Sequence, residues 1–337
     1  MIWGPLAGFG TYYLKVLMAS ESDSSAAART VPPPLSGFQR LSPRMRAGLK
    51  AVLLGVALVM VLLPRNRISP FAYPLLFGVP LIYAAVRRDG ERAFLLWTTY
   101  AISFAGFVVL RRVADNTGVP WQHTYVIAAD RAIGFGLLPT VVFQRLWYSA
   151  ANPTPLDHFT VGIHLSYYLV PPAVGIILWY FNQEVFERYL FAISATYLLG
   201  LFIHFAVPTV PPWMAGHRGY AEPIARVLYD RLNTQWPSFY RFGNSIAGGN
   251  DVAAMPSLHM GAAVLVALGM ASINRVVALL GIAYAMAMGF SLVYTGEHYV
   301  IDLLGGIVMA WAAWLAAPRV LARLLPRSGL LSSTQRG

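Results

Sequence analysis

Apolar residues run through the chain in long stretches, interrupted by short polar clusters rich in Arg, Gly and Pro. About 20 consecutive apolar residues are what a helix needs to cross a bilayer. Stretches that reach this length, or nearly so, fall at 47–63, 69–86, 93–110, 161–181, 189–207, 255–272, 276–294 and 300–318, which predicts about eight transmembrane helices. The first two are short. Residues 113–159 mix apolar and polar positions around Asp130-Arg131 and an apolar patch at 135–143, the pattern of one or two helices lying along the interface. Residues 208–254 are polar, with Pro, Gly and aromatic side chains, and join the fifth and sixth spans as a loop.

Composition agrees. Of 337 residues, 57% are hydrophobic and only 12% charged, where a soluble domain carries about a quarter; mean hydropathy is +0.56. The fold class expected is an all-α polytopic membrane protein. The net charge of +11, nearly all arginine, suits loops held against anionic headgroups. No dense basic run interleaved with aromatics occurs, so nucleic acid is not an expected partner. With no Cys there are no disulfides, thiolate metal sites or thiol nucleophiles.

Three regions are expected: a leader and flexible tail at 1–46, a transmembrane catalytic domain at 47–318 with an outer active-site loop at 208–254, and a basic cytoplasmic tail at 319–337. Residues 1–18 carry Gly4-Pro5 and Lys15 and lack a small-residue cleavage site, so they read as an interfacial or unfolded leader, with a signal peptide as the alternative. The Ser-, Ala- and Pro-rich stretch 20–43 reads as a linker. Arginines in the short loops, and the basic end of the chain above all, put both termini in the cytoplasm. The protein is then integral to a plasma or inner membrane, with loop 208–254, His259 and His298 on the extracytoplasmic side.

The candidate chemistry lies between Met255 and Asp302. His298 and Asp302 are four apart, about one helical turn, and share a face. A carboxylate there accepts the Nδ1 proton of the imidazole and leaves Nε2 to attack an electrophile; an exposed helix-end pair is the alternative. Upstream, Pro256 suits the first turn of a helix. Ser257 adds a hydroxyl to the free N–H groups of a helix start, where a phosphate oxygen binds; ordinary capping is the alternative. His259, in the same turn, is placed to give a proton to a leaving oxygen and later take one from an acceptor. If the two intervening segments form a hairpin, both histidines return to one end of it.

The runs Met255-Pro256-Ser257-Leu258-His259-Met260 and His298-x-x-x-Asp302 resemble the second and third motifs of the type 2 phosphatidic acid phosphatase superfamily. Pro208-Thr209-Val210-Pro211-Pro212-Trp213, and Asp130-Arg131 with Pro139-Thr140 and Gln144, resemble its inositol phosphorylceramide synthase branch. The resemblance implies a core of six helices, no metal or other cofactor, and a lipid phosphate as substrate, with an alcohol or water as acceptor. It implies His298 as a nucleophile that becomes a phosphohistidine, Asp302 as its orienting carboxylate, and His259 as general acid and then base.

Two departures stand out. Leu292 follows Ser291 where the family has Arg, and the family's first motif, Lys and six residues before Arg-Pro, is not found. A weaker cationic clamp fits a phosphodiester better than the more highly charged monoester, which leans toward a transferase. Candidate clamps are Arg218, Arg226, Arg231 and Arg241, with Arg218 and Arg241 taken as substrate-binding beside Ser257 and Trp213. Trp213 also reads as an interface marker, His164 and His204 as hydrogen-bonded structural histidines, and Gly305-Gly306 as a close-packing point. The competing functions are a lipid phosphatase using water and a non-enzymatic lipid transporter or scaffold.

Overall fold

A computed structural model of the chain describes residues 91–114, 117–238 and 252–325. The expected spans 47–63 and 69–86, the region 1–46, residues 326–337 of the tail, and Arg241 lie outside them. The described residues form eleven helices and no strand beyond two isolated bridges. These are α1 (Glu91–Ala114), α2 (Thr124–Ile133), α3 (Pro139–Trp147), α4 (Pro155–Ser166), α5 (Val170–Phe181), α6 (Gln183–Ala206), α7 (Pro212–His217), α8 (Val227–Gln235), α9 (Leu258–Ala271), α10 (Arg275–Tyr294) and α11 (Val300–Leu324).

The protein is an all-helical polytopic membrane protein. Among the described residues α6, α10 and α11 are long and apolar enough to cross a membrane, and α4 with α5, bent by 54° at their break, is long and apolar enough only when the two are taken together. The expected span at 161–181 falls on this bent pair. A continuous helix would need N–H groups from Pro171 and Pro172, which have none. The chain turns at 167–169, and α5 restarts with both prolines in its first turn, where those donors have no intrahelical partner. The expected span at 93–110 lies within α1, and that at 255–272 corresponds to the shorter apolar helix Leu258–Ala271.

These six units pack around one core. On α1, Phe94, Trp97, Tyr100, Phe104 and Phe107 recur at helical spacing and are buried; Tyr100, Phe104 and Phe107 close on Tyr197 of α6, with ring centroids 6.0, 5.5 and 6.0 Å away. The outer faces stay apolar: Val276, Leu279, Ile282 and Met286 of α10 and Phe202 of α6 are exposed, as side chains facing lipid are. At one end Arg92 pairs with Glu187 at 2.7 Å and donates to the Leu325 carbonyl. The helix α11 runs past its expected end at Pro318. That residue offers no N–H to the Trp314 carbonyl one turn back, and Arg188 Nε donates to it instead at 2.9 Å.

At the other end a second apolar cluster forms. It joins Val126, Val141, Val210, Met214, Ile224 and Tyr299 from α2, α3, α7 and the loops beside them. The expected interfacial region thus contains two short helices, α2 and α3, and the expected loop 208–254 carries α7 and α8. Thr209 bridges Gln122 and Ala253, which ties this cap to the chain entering α9.

Candidate active site

The end of α10 sets the first histidine. Gly296 has φ +77°, a left-handed conformation that glycine adopts without a Cβ penalty. Its N–H reaches the Val293 carbonyl, while the N–H groups of Glu297 and His298 both reach that of Leu292. This glycine-terminated turn stops the helix and aims Glu297 and His298 inward. A Cβ on Gly296 would stand 2.7 Å from the Ala225 carbonyl. Asp302, in the first turn of α11, is fully buried; its Oδ2 accepts the Tyr299 N–H at 2.8 Å and lies 3.4 Å from His298 Nδ1. That distance is at the outer edge of hydrogen bonding, as in many catalytic pairs before substrate tightens them.

The start of α9 sets the second. The helix begins at Leu258 with Ser257 as its N-cap, so Pro256 stands before the cap and not in the first turn as expected. The Ser257 hydroxyl accepts from the Met260 N–H, and its own N–H donates to the Asp302 carbonyl. Close contact of α9 with α11 depends on glycine: a Cβ on Gly306 would meet the Ser257 carbonyl oxygen at 2.2 Å, and one on Gly305 the Met255 side chain at 2.8 Å. The His259 and His298 rings come to 5.8 Å between centroids. One phosphate can bridge two imidazoles at that separation, each at a hydrogen-bond or attack distance of about 3 Å.

Both rings line a cavity of about 150 Å³ together with His164, His204, Trp213, Arg226 and Glu297. Arg226 Nε donates to Glu297 Oε1 at 2.8 Å, and the guanidinium lies 4.1 Å over the Trp213 ring. Burial pushes the Glu297 carboxyl up, but the Arg226 guanidinium beside it overcomes this and holds the group below its ordinary value, as a carboxylate. Gln144 braces this wall: its amide donates to the Ala225 and Tyr294 carbonyls and accepts the Ala225 N–H, each at 2.9 Å. Asp130, buried on α2, accepts the Ile301 N–H at the start of α11. A larger surface groove of about 420 Å³ beyond Gln144, edged by Arg145 and His217, contains neither histidine of the pair.

Of the residues singled out in the sequence, His298, Asp302, His259 and Trp213 meet here. Ser257 is fully buried as a cap and does not line the cavity. Arg218 lies 4.7 Å over the Trp121 ring, away from the cavity lining, and Arg231 is buried against Asp157 at 3.0 Å. Among the described members of that arginine set, Arg226 is the one at the cavity. Glu297, which also lines the cavity, carries no signal in the sequence beyond its place next to His298. His164 and His204, read as structural, both reach the cavity; His204 Nε2 donates to the Pro256 carbonyl at 3.1 Å. The position where the family pattern has Arg, Leu292, is wholly buried in the core.

Known proteins resemble this chain in sequence. The chain is 33% identical over 191 residues to the phosphoinositol dihydroceramide synthase of Bacteroides thetaiotaomicron, covering 48% of this chain and 59% of that one. It is 28% identical over 157 residues to the inositol phosphorylceramide synthase of Candida albicans, covering 44% and 32%. The alignments thus span less than two thirds of either relative. No solved structure matches the chain. The region that carries α2 to α11, residues 124–316 and more than half of the sequence, matches the PAP2 superfamily throughout, and the chain belongs to that superfamily.

Proposed function

We propose that the protein is an integral-membrane lipid phosphotransferase that moves a phosphate-containing headgroup from a donor lipid to an alcohol through a phosphohistidine. His298 Nε2 attacks phosphorus while Asp302 keeps the proton of that ring on Nδ1. The bond from phosphorus to the lipid oxygen breaks, and His259 delivers its proton to that oxygen, releasing a neutral lipid alcohol. The acceptor hydroxyl then attacks phosphorus, the P–N bond breaks, and His259 takes the acceptor's proton, which restores the starting state. No step calls for a metal or a cofactor.

The observation that carries this reading is the convergence of two histidines from separate helix ends on one cavity. The charge of the wall favours a diester. Arg226 is matched by Glu297, so the pair adds no net cation, and a dianionic monoester would face an ionised carboxylate. The names of the two relatives speak of phosphoinositol groups, which makes phosphatidylinositol the first donor to test.

Purified protein is incubated with donor labelled in its phosphate, with and without ceramide or simpler lipid alcohols. Transfer of label to the alcohol is expected, with an acid-labile, base-stable label on the wild-type protein that His298→Ala abolishes. His259→Ala should cost about 10²–10⁴-fold in rate. Release of a water-soluble phosphate alone, whatever alcohol is present, would make the protein a hydrolase. Undiminished function in His298→Ala would return it to the transporter reading.

A further inference from the structure

We propose that the turn between α2 and α3 is a lipid-inserting wedge, with Phe135 seated in the leaflet at the cavity end of the bundle. The turn reads Ile133-Gly134-Phe135-Gly136-Leu137. Phe135 is 99% exposed, and Ile133 and Leu137 on either side of it are exposed as well. One exposed apolar residue is ordinary, but these stand together at a single tip and form a patch. Phe135 also has φ +53°, a left-handed conformation that is rare for a bulky side chain. The backbone around it imposes this conformation. The Gly136 N–H donates to the Arg131 carbonyl at 2.7 Å, and the Leu137 N–H to that of Gly134 at 3.1 Å. A Cβ on Gly134 would run into the Leu137 carbonyl. The turn thus holds an aromatic ring away from the protein at a cost to its own backbone, and strain of this kind collects at functional positions.

The place of the hairpin in the fold says what covers its tip. Asp130, near the end of α2, accepts the Ile301 N–H at the start of α11, and Gln144 of α3 donates to the Tyr294 carbonyl at the end of α10. The hairpin therefore lies across the ends of two helices long and apolar enough to cross the membrane. Phe143 and Trp147 of α3 close on Phe290, one turn before the end of α10, with ring centroids 5.4 and 5.8 Å away. Leu146 and Trp147, both exposed, carry the apolar outer face of α10 on along α3. Arg145, exposed beside them, is placed for a headgroup phosphate. A bilayer is the apolar phase this face already meets, and an apolar tip flanked by a cation suits the boundary between headgroups and acyl chains. Insertion of the tip is independent of the reaction run at the two histidines.

The chain has no cysteine, so Phe135→Cys and Leu137→Cys can each carry a single nitrobenzoxadiazole fluorophore. The full chain is reconstituted in vesicles of phosphatidylcholine and phosphatidylglycerol. Both labels should emit to the blue of the free dye, lose fluorescence to lipids bearing a nitroxide high on the acyl chain, and lose little to aqueous iodide. Adding Phe135→Asp should shift the emission of the Leu137→Cys label to the red and open it to iodide. Quenching of both labels by iodide with no effect of the nitroxide would put the tip in water and overturn the wedge. Protection from both quenchers would assign the tip to a protein contact, such as a second copy of the chain, and would overturn it equally. A Leu137→Cys label that Phe135→Asp leaves unmoved would remove Phe135 as the residue that seats the turn.

Discussion

At the scale of single residues the site is built from buried polar groups, several of them paired across the fold. Asp130 shows what such burial costs. Burial pushes its carboxyl up to about 6, against the Ile301 N–H that favours the charged form. An aspartate in the unfolded chain titrates near 3.8. Between these values the folded protein holds a proton that the unfolded chain has released, so stability falls as pH rises from about 4 to about 6 and is flat above. The two-unit gap corresponds to a loss on the order of 3 kcal/mol. Asp130→Asn keeps an oxygen for Ile301 and cannot ionise. Melting temperatures measured from pH 4 to 7 should lose that slope, with the variant the more stable at pH 7. A variant less stable at pH 7 would mean that the charged form is the one α11 needs.

At the scale of helices, function depends on how near two backbones come. The α9–α11 contact at Gly306 brings the His259 helix to the His298 turn. In Gly306→Ala the added methyl forces the Ser257 carbonyl away. Transfer should fall by about 10²-fold, the effect of a misplacement of about 1 Å, with a smaller fractional change in melting temperature. A stable Gly306→Ala protein at full rate would show that the helix spacing is not what holds the histidines together. At the opposite end, Arg188 serves the carbonyl that Pro318 leaves without a donor. Arg188→Ala should destabilise by about 1–3 kcal/mol. In a Pro318→Ala background the substituted residue supplies its own N–H, so the same change should cost less. A double-mutant cycle in denaturant reads the difference, and strict additivity would exclude the link.

At the scale of the whole molecule, the six packed units put every element of the cavity at one end of the bundle and the Arg92–Glu187 pair at the other. We propose that the cavity end is extracytoplasmic, on the strength of the arginines in the short loops. The chain has no cysteine, so one introduced thiol reports its side unambiguously. His217, exposed at the cavity end, and Arg319, exposed near the end of α11, are suitable positions. In intact cells a membrane-impermeant maleimide should label His217→Cys, while Arg319→Cys should need permeabilisation. The reverse pattern would invert the orientation and put the chemistry in the cytoplasm.

Local properties were legible in the sequence: where the apolar runs lie and that they are helices. Run length acts within a single helix, and no other part of the chain needs to be known; His298, by contrast, stands before the Tyr299 N-cap of α11 and meets Asp302 from outside the helix, not one turn along it. The histidine motifs were legible for a related reason, since Ser257 as cap and Gly296 as terminator fix His259 and His298 through backbone geometry a few residues long. Which arginine faces the cavity was decided only by the tertiary structure. Arg218, Arg226 and Arg231 look alike in one polar stretch, and their partners Trp121, Glu297 and Asp157 are at least 71 residues away. The same holds for His164, brought against His259 by the packing of α4 on the bundle. A buried polar side chain takes its role from the group it meets across the fold, and that meeting is not written in its own neighbourhood.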